Sequence, residues 1–199
     1  MSSRTLSGGG AGRLGFIAHA MEAFAFLLRI GFSVVRREAT LLRFESSNVF
    51  VNVYHGRASY QVGLELGRLN EGDTYSLHEV LSAIAPAEIE RARCQATDRA
   101  TLERCLTAMA DTIQRSCHDL LRGDAAAFEE LQSVVAPKRQ VETIRSQFGA
   151  IIDRADRAWE SKDFTQAADL YEKAAPGLDA TRVKRLEYLR GKGPKRSDT

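Results

Sequence analysis

The stretch Val49-Phe-Val-Asn-Val-Tyr-His-Gly-Arg-Ala-Ser-Tyr-Gln-Val-Gly-Leu-Glu-Leu66 decides the fold. Val49, Val51 and Val53 precede a short polar centre, and Tyr60, Val62, Leu64 and Leu66 follow it, all at every second position. A period of two is that of a strand with one buried face. The centre, His55-Gly-Arg-Ala58, has the length of a hairpin loop, with Gly56 expected to supply a positive φ and Ser59 to begin the returning strand. Gln61, Gly63, Glu65 and Gly67 fill the alternate positions of that second strand, so helices are expected over one face only.

Upstream the same period continues. Leu42 and Phe44 alternate with Arg43 and Glu45, and Phe32, Val34 and Arg36 with Ser33 and Val35. Four short strands with short connections imply an antiparallel meander. Before them, Phe16, Ile17, Ala20, Met21, Phe24, Leu27 and Leu28 fall on one side of a helix expected to stop at Gly31. After them, Tyr75-Ser-Leu-His-Glu-Val80 carries a capping box, Ser76 with Glu79, opening a helix that ends before Pro86. Residues 14–86 therefore read as an α+β domain: helix, four-stranded antiparallel meander, helix.

From Pro86 the period is helical throughout, so residues 87–190 read as an all-α helical bundle or hairpin. Asp98 is placed to cap a helix with Leu102, Cys105, Leu106, Met109, Ile113, Cys117 and Leu120 in one stripe, ending at Gly123. Asp124 opens a short helix with Phe128 and Leu131, and Pro137 is expected to open a separate long one. Residues 1–13 and 191–199 are small and polar, a disordered lead-in and a disordered basic tail.

The formal charge of +2 is unevenly spread. From Arg182 onward seven Lys or Arg face two acidic residues, leaving 21 basic and 24 acidic residues in the body, which argues against a broad nucleic-acid face. Cys94, Cys105 and Cys117 match no zinc or CxxC spacing, so neither a disulfide framework nor a structural metal is expected, and Cys105 and Cys117 read as small core residues. The apolar run from Leu14 to Val35 is interrupted by His19, Glu22 and Arg29, so no membrane span is expected. Reduced cysteines and no export signal point to the cytoplasm, and the preference for Arg over Lys to a GC-rich bacterial source.

Gly10-Ala-Gly-Arg-Leu-Gly15 matches GxGxxG but lacks a preceding strand, so no dinucleotide or other cofactor is expected. His19, His55, His78 and His118 are dispersed and no pair has ligand spacing, so no metal is expected either. The candidate binding residues are those of the hairpin, Tyr54, His55, Arg57 and Tyr60, with Gln61 and Glu65 on the outward sheet face. Tyr and Arg at a loop tip suit protein recognition. Catalysis needs a nucleophile or a base held by a third group, and the hairpin offers neither.

In the helical half, Ala155-Asp-Arg-Ala-Trp-Glu-Ser-Lys-Asp-Phe-Thr-Gln-Ala-Ala-Asp-Leu-Tyr-Glu-Lys-Ala174 resembles the middle of a tetratricopeptide repeat over residues 145–178. The resemblance implies Ala155 and Ala158 on a first helix, Phe164 at the turn, and Ala167, Tyr171 and Ala174 on a second. Arg154 stands where the family has a large apolar residue, Pro176 comes early, and one copy is visible where arrays need about three. The N-terminal run from Gly31 to Arg57, followed by Tyr75–Leu81, resembles small bacterial immunity or accessory proteins, which implies partner binding. The expected function is a non-enzymatic protein–protein interaction, of immunity or adaptor type. Two alternatives stay open: an enzyme with a site assembled between the two halves, and nucleic-acid binding through the basic tail.

Overall fold

Hydrophobic period and caps set the elements of the computed structural model, which describes residues 14–56 and 59–192. Two contact units divide the chain, residues 1–135 and 136–199. In the first, the expected single helix is two: α1 (Phe16–Ala23) and α2 (Ala25–Arg29), separated at Phe24. The break resets the helical phase, so Phe26 and Leu27 are buried while Leu28 and Ile30 are exposed. Gly31, at φ 97°, then turns the chain into the sheet.

The meander is present as β1 (Ser33–Glu38), β2 (Leu41–Glu45), β3 (Val49–His55) and β4 (Gln61–Arg68), paired antiparallel in that order. The register sets Leu42 opposite Val53 and Phe44 opposite Val51, and across β4 sets Leu64 opposite Val53 and Val62 opposite His55. These side chains form the inner face. α1, the helix Leu77–Ile84 and α5, the 18-residue helix Arg99–Ser116, are among its neighbours, and α1 packs on α5. α3 (Leu77–Ile84) begins with the expected capping box: the Glu79 amide donates to Ser76 Oγ at 3.3 Å and the Ser76 amide to Glu79 Oε2 at 2.8 Å. β1 departs from its expected alternation. It is almost wholly exposed, outermost in the sheet, and its register slips between Val34 and Arg36.

Two strands too short to show a period complete the sheet. β5 (Tyr75–Ser76) pairs with Glu65 and Leu66, and β6 (Cys94–Gln95) pairs with Gln61 and Val62. Between them run a 3-10 turn (Pro86–Glu88) and α4 (Ile89–Ala92). Contrary to expectation, Cys94 and Cys105 are joined as a disulfide, tying β6 to α5. Their eleven-residue separation conceals a close approach that only the strand turning back onto β4 creates. Cys117 is the buried free thiol.

Asp98 caps α5 by accepting from the Thr101 amide at 2.9 Å. α6 (His118–Arg122) follows a break at Cys117 and ends on Gly123 at φ 77°. Pro137 does not start a helix. α7 runs unbroken from Ala125 to Glu160 with Pro137 inside it, and the unit boundary falls within it. Residues 136–143 are all exposed, so no packing forces the chain to change direction there.

In the second unit, the end of α7, α8 (Phe164–Lys173) and α9 (Ala180–Lys192) share a small core of Ala155, Ala158, Ala167, Leu170, Tyr171, Leu186 and Leu189. Alanines let the first two helices approach closely, and Lys162 at φ 60° makes the turn. Asp163 then caps α8 through the Gln166 amide. The helical-hairpin geometry expected at these positions is present; Phe164 stacks edge-on against Trp159 at 5.6 Å. No described helix is long and apolar enough to cross a membrane.

Candidate functional site

β3 places successive side chains on opposite faces, so adjacent candidates of the hairpin part company. His55 turns inward and is 2% exposed. Its Nε2–H donates to the Ala96 carbonyl at 2.9 Å, its ring lies 6.1 Å from that of Phe16, and its Nδ1 is buried without a partner. A histidine so held is a packing residue of the inner face. Arg57 lies outside the described residues. Among the described residues of the loop, Tyr60 carries a positive φ, 53°; Gly56, expected in that role, is not among the positive-φ glycines, and β4 begins at Gln61.

Tyr54 turns outward and its ring lies over Gly63, which stands opposite it. A Cβ at Gly63 would meet that ring. Burial, with the charge of Glu65 adding to it, pushes the Tyr54 phenol above its ordinary range, so near neutral pH it is an O–H that donates or accepts. Farther along the same face Arg43 stacks on Phe50 at 4.2 Å and bonds to Glu45 at 2.6 Å and Asn52 at 3.3 Å. The chain at Asp73 crosses over Gly67. The outward face is therefore partly roofed by its own rings and loop.

Tyr54 and Gln61 meet in a cavity of about 620 Å³ with Ser76, His78, Arg93, Cys94 and Gln95 around them. The cavity sits on the edge of β4. Hydrogen-bond direction explains why it is there. The Gly56 amide donates to the Gln61 carbonyl at 2.8 Å, on the β3 side, whereas the Ala96 amide donates to the Tyr60 carbonyl at 2.8 Å, on the β6 side. Alternation then turns the main-chain groups of Val62, Leu64 and Leu66 away from β3. Val62 is paired by β6 and Leu66 by β5, and neither strand pairs with Leu64. The cavity is lined there by Leu64, which lies between the two short strands and is itself 1% exposed.

The polar side chains around it suit hydrogen bonding. The Ser76 hydroxyl donates to Glu79 Oε2 at 2.8 Å while accepting from the Glu79 amide, so it is committed to the helix cap. Glu65 and Tyr60 do not line the cavity. Elsewhere, His19 has a carboxylate neighbour the sequence did not reveal, Glu103 of α5 at 3.2 Å. Among the described residues no three His, Cys, Asp or Glu side chains converge as a metal's ligands would.

The basic C-terminal segment is largely engaged where it is described. Arg185 bonds to Asp156 at 3.0 Å and Arg190 to Glu172 at 3.2 Å. Lys195 and Arg196, like the glycine-rich residues 1–13, lie outside the described residues. What sequence reasoning missed is the cavity's other wall, since Cys94 and Gln95 form a strand of only two residues, with Arg93 between it and α4. Comparison with protein-family models, curated proteins and solved structures gives no match to this chain.

Proposed function

We propose that this chain is a non-enzymatic protein-interaction module, of immunity or adaptor type, that takes an extended segment of a partner protein against the edge of β4. The carrying observation is the cavity beside β4 between β6 and β5, lined by Tyr54 and Gln61. An extended peptide suits a cavity beside a strand, because strand addition draws its affinity from main-chain bonds and its specificity from pockets for alternate side chains. Tyr54 and Gln61, on the cavity wall, would read the segment's side chains. Tyrosine gives a large rigid contact with a polar tip, the usual composition of an interface hot spot. Arg57 and Tyr60 extend the same hairpin and Glu65 the same outward face. The reading includes a cytoplasmic setting, where a disulfide is transient or redox-sensing in most proteins.

The test is capture from the source cells by the tagged full chain, with mass spectrometry of what co-elutes and nuclease treatment as control. Tyr54→Ala with Gln61→Lys is expected to abolish recovery of a stoichiometric protein that the unaltered chain retains. Equal recovery by both chains would refute this site.

A further inference from the structure

β6 is held to β4 by little. Two residues pair, Gln95 with Gln61 and Cys94 with Val62, and the Ala96 amide adds a bond to the Tyr60 carbonyl. An isolated pairing of that length is marginal in water. Beyond the sheet β6 is held by the His55 Nε2–H bond to the carbonyl of buried Ala96 and, covalently, by Cys94 to Cys105 in the middle of the core helix α5. The two sulfurs differ in access. Cys105 is 1% exposed, whereas Cys94 is half-buried and lines the cavity.

We infer that the Cys94–Cys105 disulfide is a redox latch on β6 that sets how much of the β4 edge is open to a partner strand. This rests on the edge-binding reading above and adds its control. A small dithiol, or the active-site dithiol of a reducing protein, enters from the cavity and exchanges with the bond. The Sγ–Sγ bond breaks, two electrons and two protons pass to Cys94 and Cys105, and the dithiol leaves as a disulfide. Released β6 then detaches, and the main-chain groups of Tyr60 and Val62 that it had paired become open to a partner strand. The occupant that fits this edge is an extended segment with small apolar residues at alternate positions, in the places that Cys94 and Ala96 fill. Cys117 takes no part: burial pushes its thiol up to about 12, so it is not a ready thiolate.

Amide exchange in the full-length chain reads the latch without needing the partner. The Val62 N–H faces β6 and the Gly63 N–H faces β3, so one reports release and its neighbour reports the intact sheet. Reduction with a trialkylphosphine, verified by the two hydrogens gained in intact mass, is expected to speed Val62 exchange at least about tenfold and leave Gly63 protected. Cys94→Ala with Cys105→Ala should show the same pattern without reductant. Val62 exchange unchanged in the reduced chain would overturn the inference. So would equal acceleration at Val62 and Gly63, which makes the bond a plain staple of the fold. If Val62 is unmoved but capture still depends on Tyr54, the latch falls and the binding site stands; if Val62 responds and capture ignores Tyr54, the reverse holds.

Discussion

Gly63 and Gly67 look alike in the sequence, two gaps on the polar side of β4, yet they serve different neighbours. Gly63 makes room for the Tyr54 ring, a flexible group that can swing aside. At Gly67 the obstacle is the Asp73 carbonyl, which belongs to the backbone and cannot. Gly67→Ala should therefore destabilise the chain by about 1–3 kcal/mol, the usual cost of forcing extra volume into a packed site. Chemical denaturation followed by circular dichroism measures it, and an unaltered midpoint would contradict the close approach. At this scale the sequence was partly legible. The alternation of β3 and β4 correctly separated Tyr54 from Val53, but His55 follows the same alternation inward, and grouping it with the loop ignored that parity. Its partner carbonyl, at Ala96, is 41 residues away and leaves no local signal.

Helices were legible where a cap and a stripe agree, as at Ser76 and Glu79 for α3 and Asp98 for α5. They were misread where punctuation stood without packing. Pro137 reads as a start, but an exposed helix can carry proline by giving up one hydrogen bond, and α7 does. In the hairpin the stripe of alanines was legible and the polar lock beside it was not. Asp156 accepts from Tyr171 Oη at 2.6 Å, Arg182 Nη2 at 2.7 Å and Arg185 Nη1 at 3.0 Å. Partial burial pushes the Asp156 carboxyl up, but hydrogen bonds from Arg182 and Tyr171 and the two arginine charges outweigh it and hold the group below the ordinary range. The folded form thus binds this proton less readily than the unfolded chain, whose Asp titrates near pH ~3.9. The contribution is present above that value and is lost as pH falls through the lower folded value. Thermal melts should show the hairpin weakening below pH ~4, with Asp156→Asn losing much of that dependence. Identical acid sensitivity in the variant would remove Asp156 from the account.

At the scale of the molecule, the two units have separate apolar cores, one built around the sheet and the other around Ala155, Ala167 and Tyr171. Each core should answer to its own mutations. Leu64→Ala, at a fully buried position, is expected to cost about 2–5 kcal/mol and to lower the unfolding transition of the sheet, while Trp159 fluorescence reports a hairpin transition that stays in place. A single transition shifted in both signals would show one cooperative body instead. The α+β class was legible because both periods run long enough to read. The cavity was not, since it depends on two strands of two residues each and on a cysteine pair whose spacing resembles no framework.

The opposite side of the sheet shows how an unpaired strand can be made harmless. β1 ends the sheet with a row of main-chain donors and acceptors that no described strand meets. A long, flat, apolar edge of that kind recruits the same edge of other copies and grows as fibrils do. In β1 the slipped register between Val34 and Arg36 bends the row, and exposed Arg36 and Arg37 would bring like charges together in every added layer. Self-templating is opposed at that edge by its own residues, so the outermost strand ends the sheet without inviting the chain to polymerise through it.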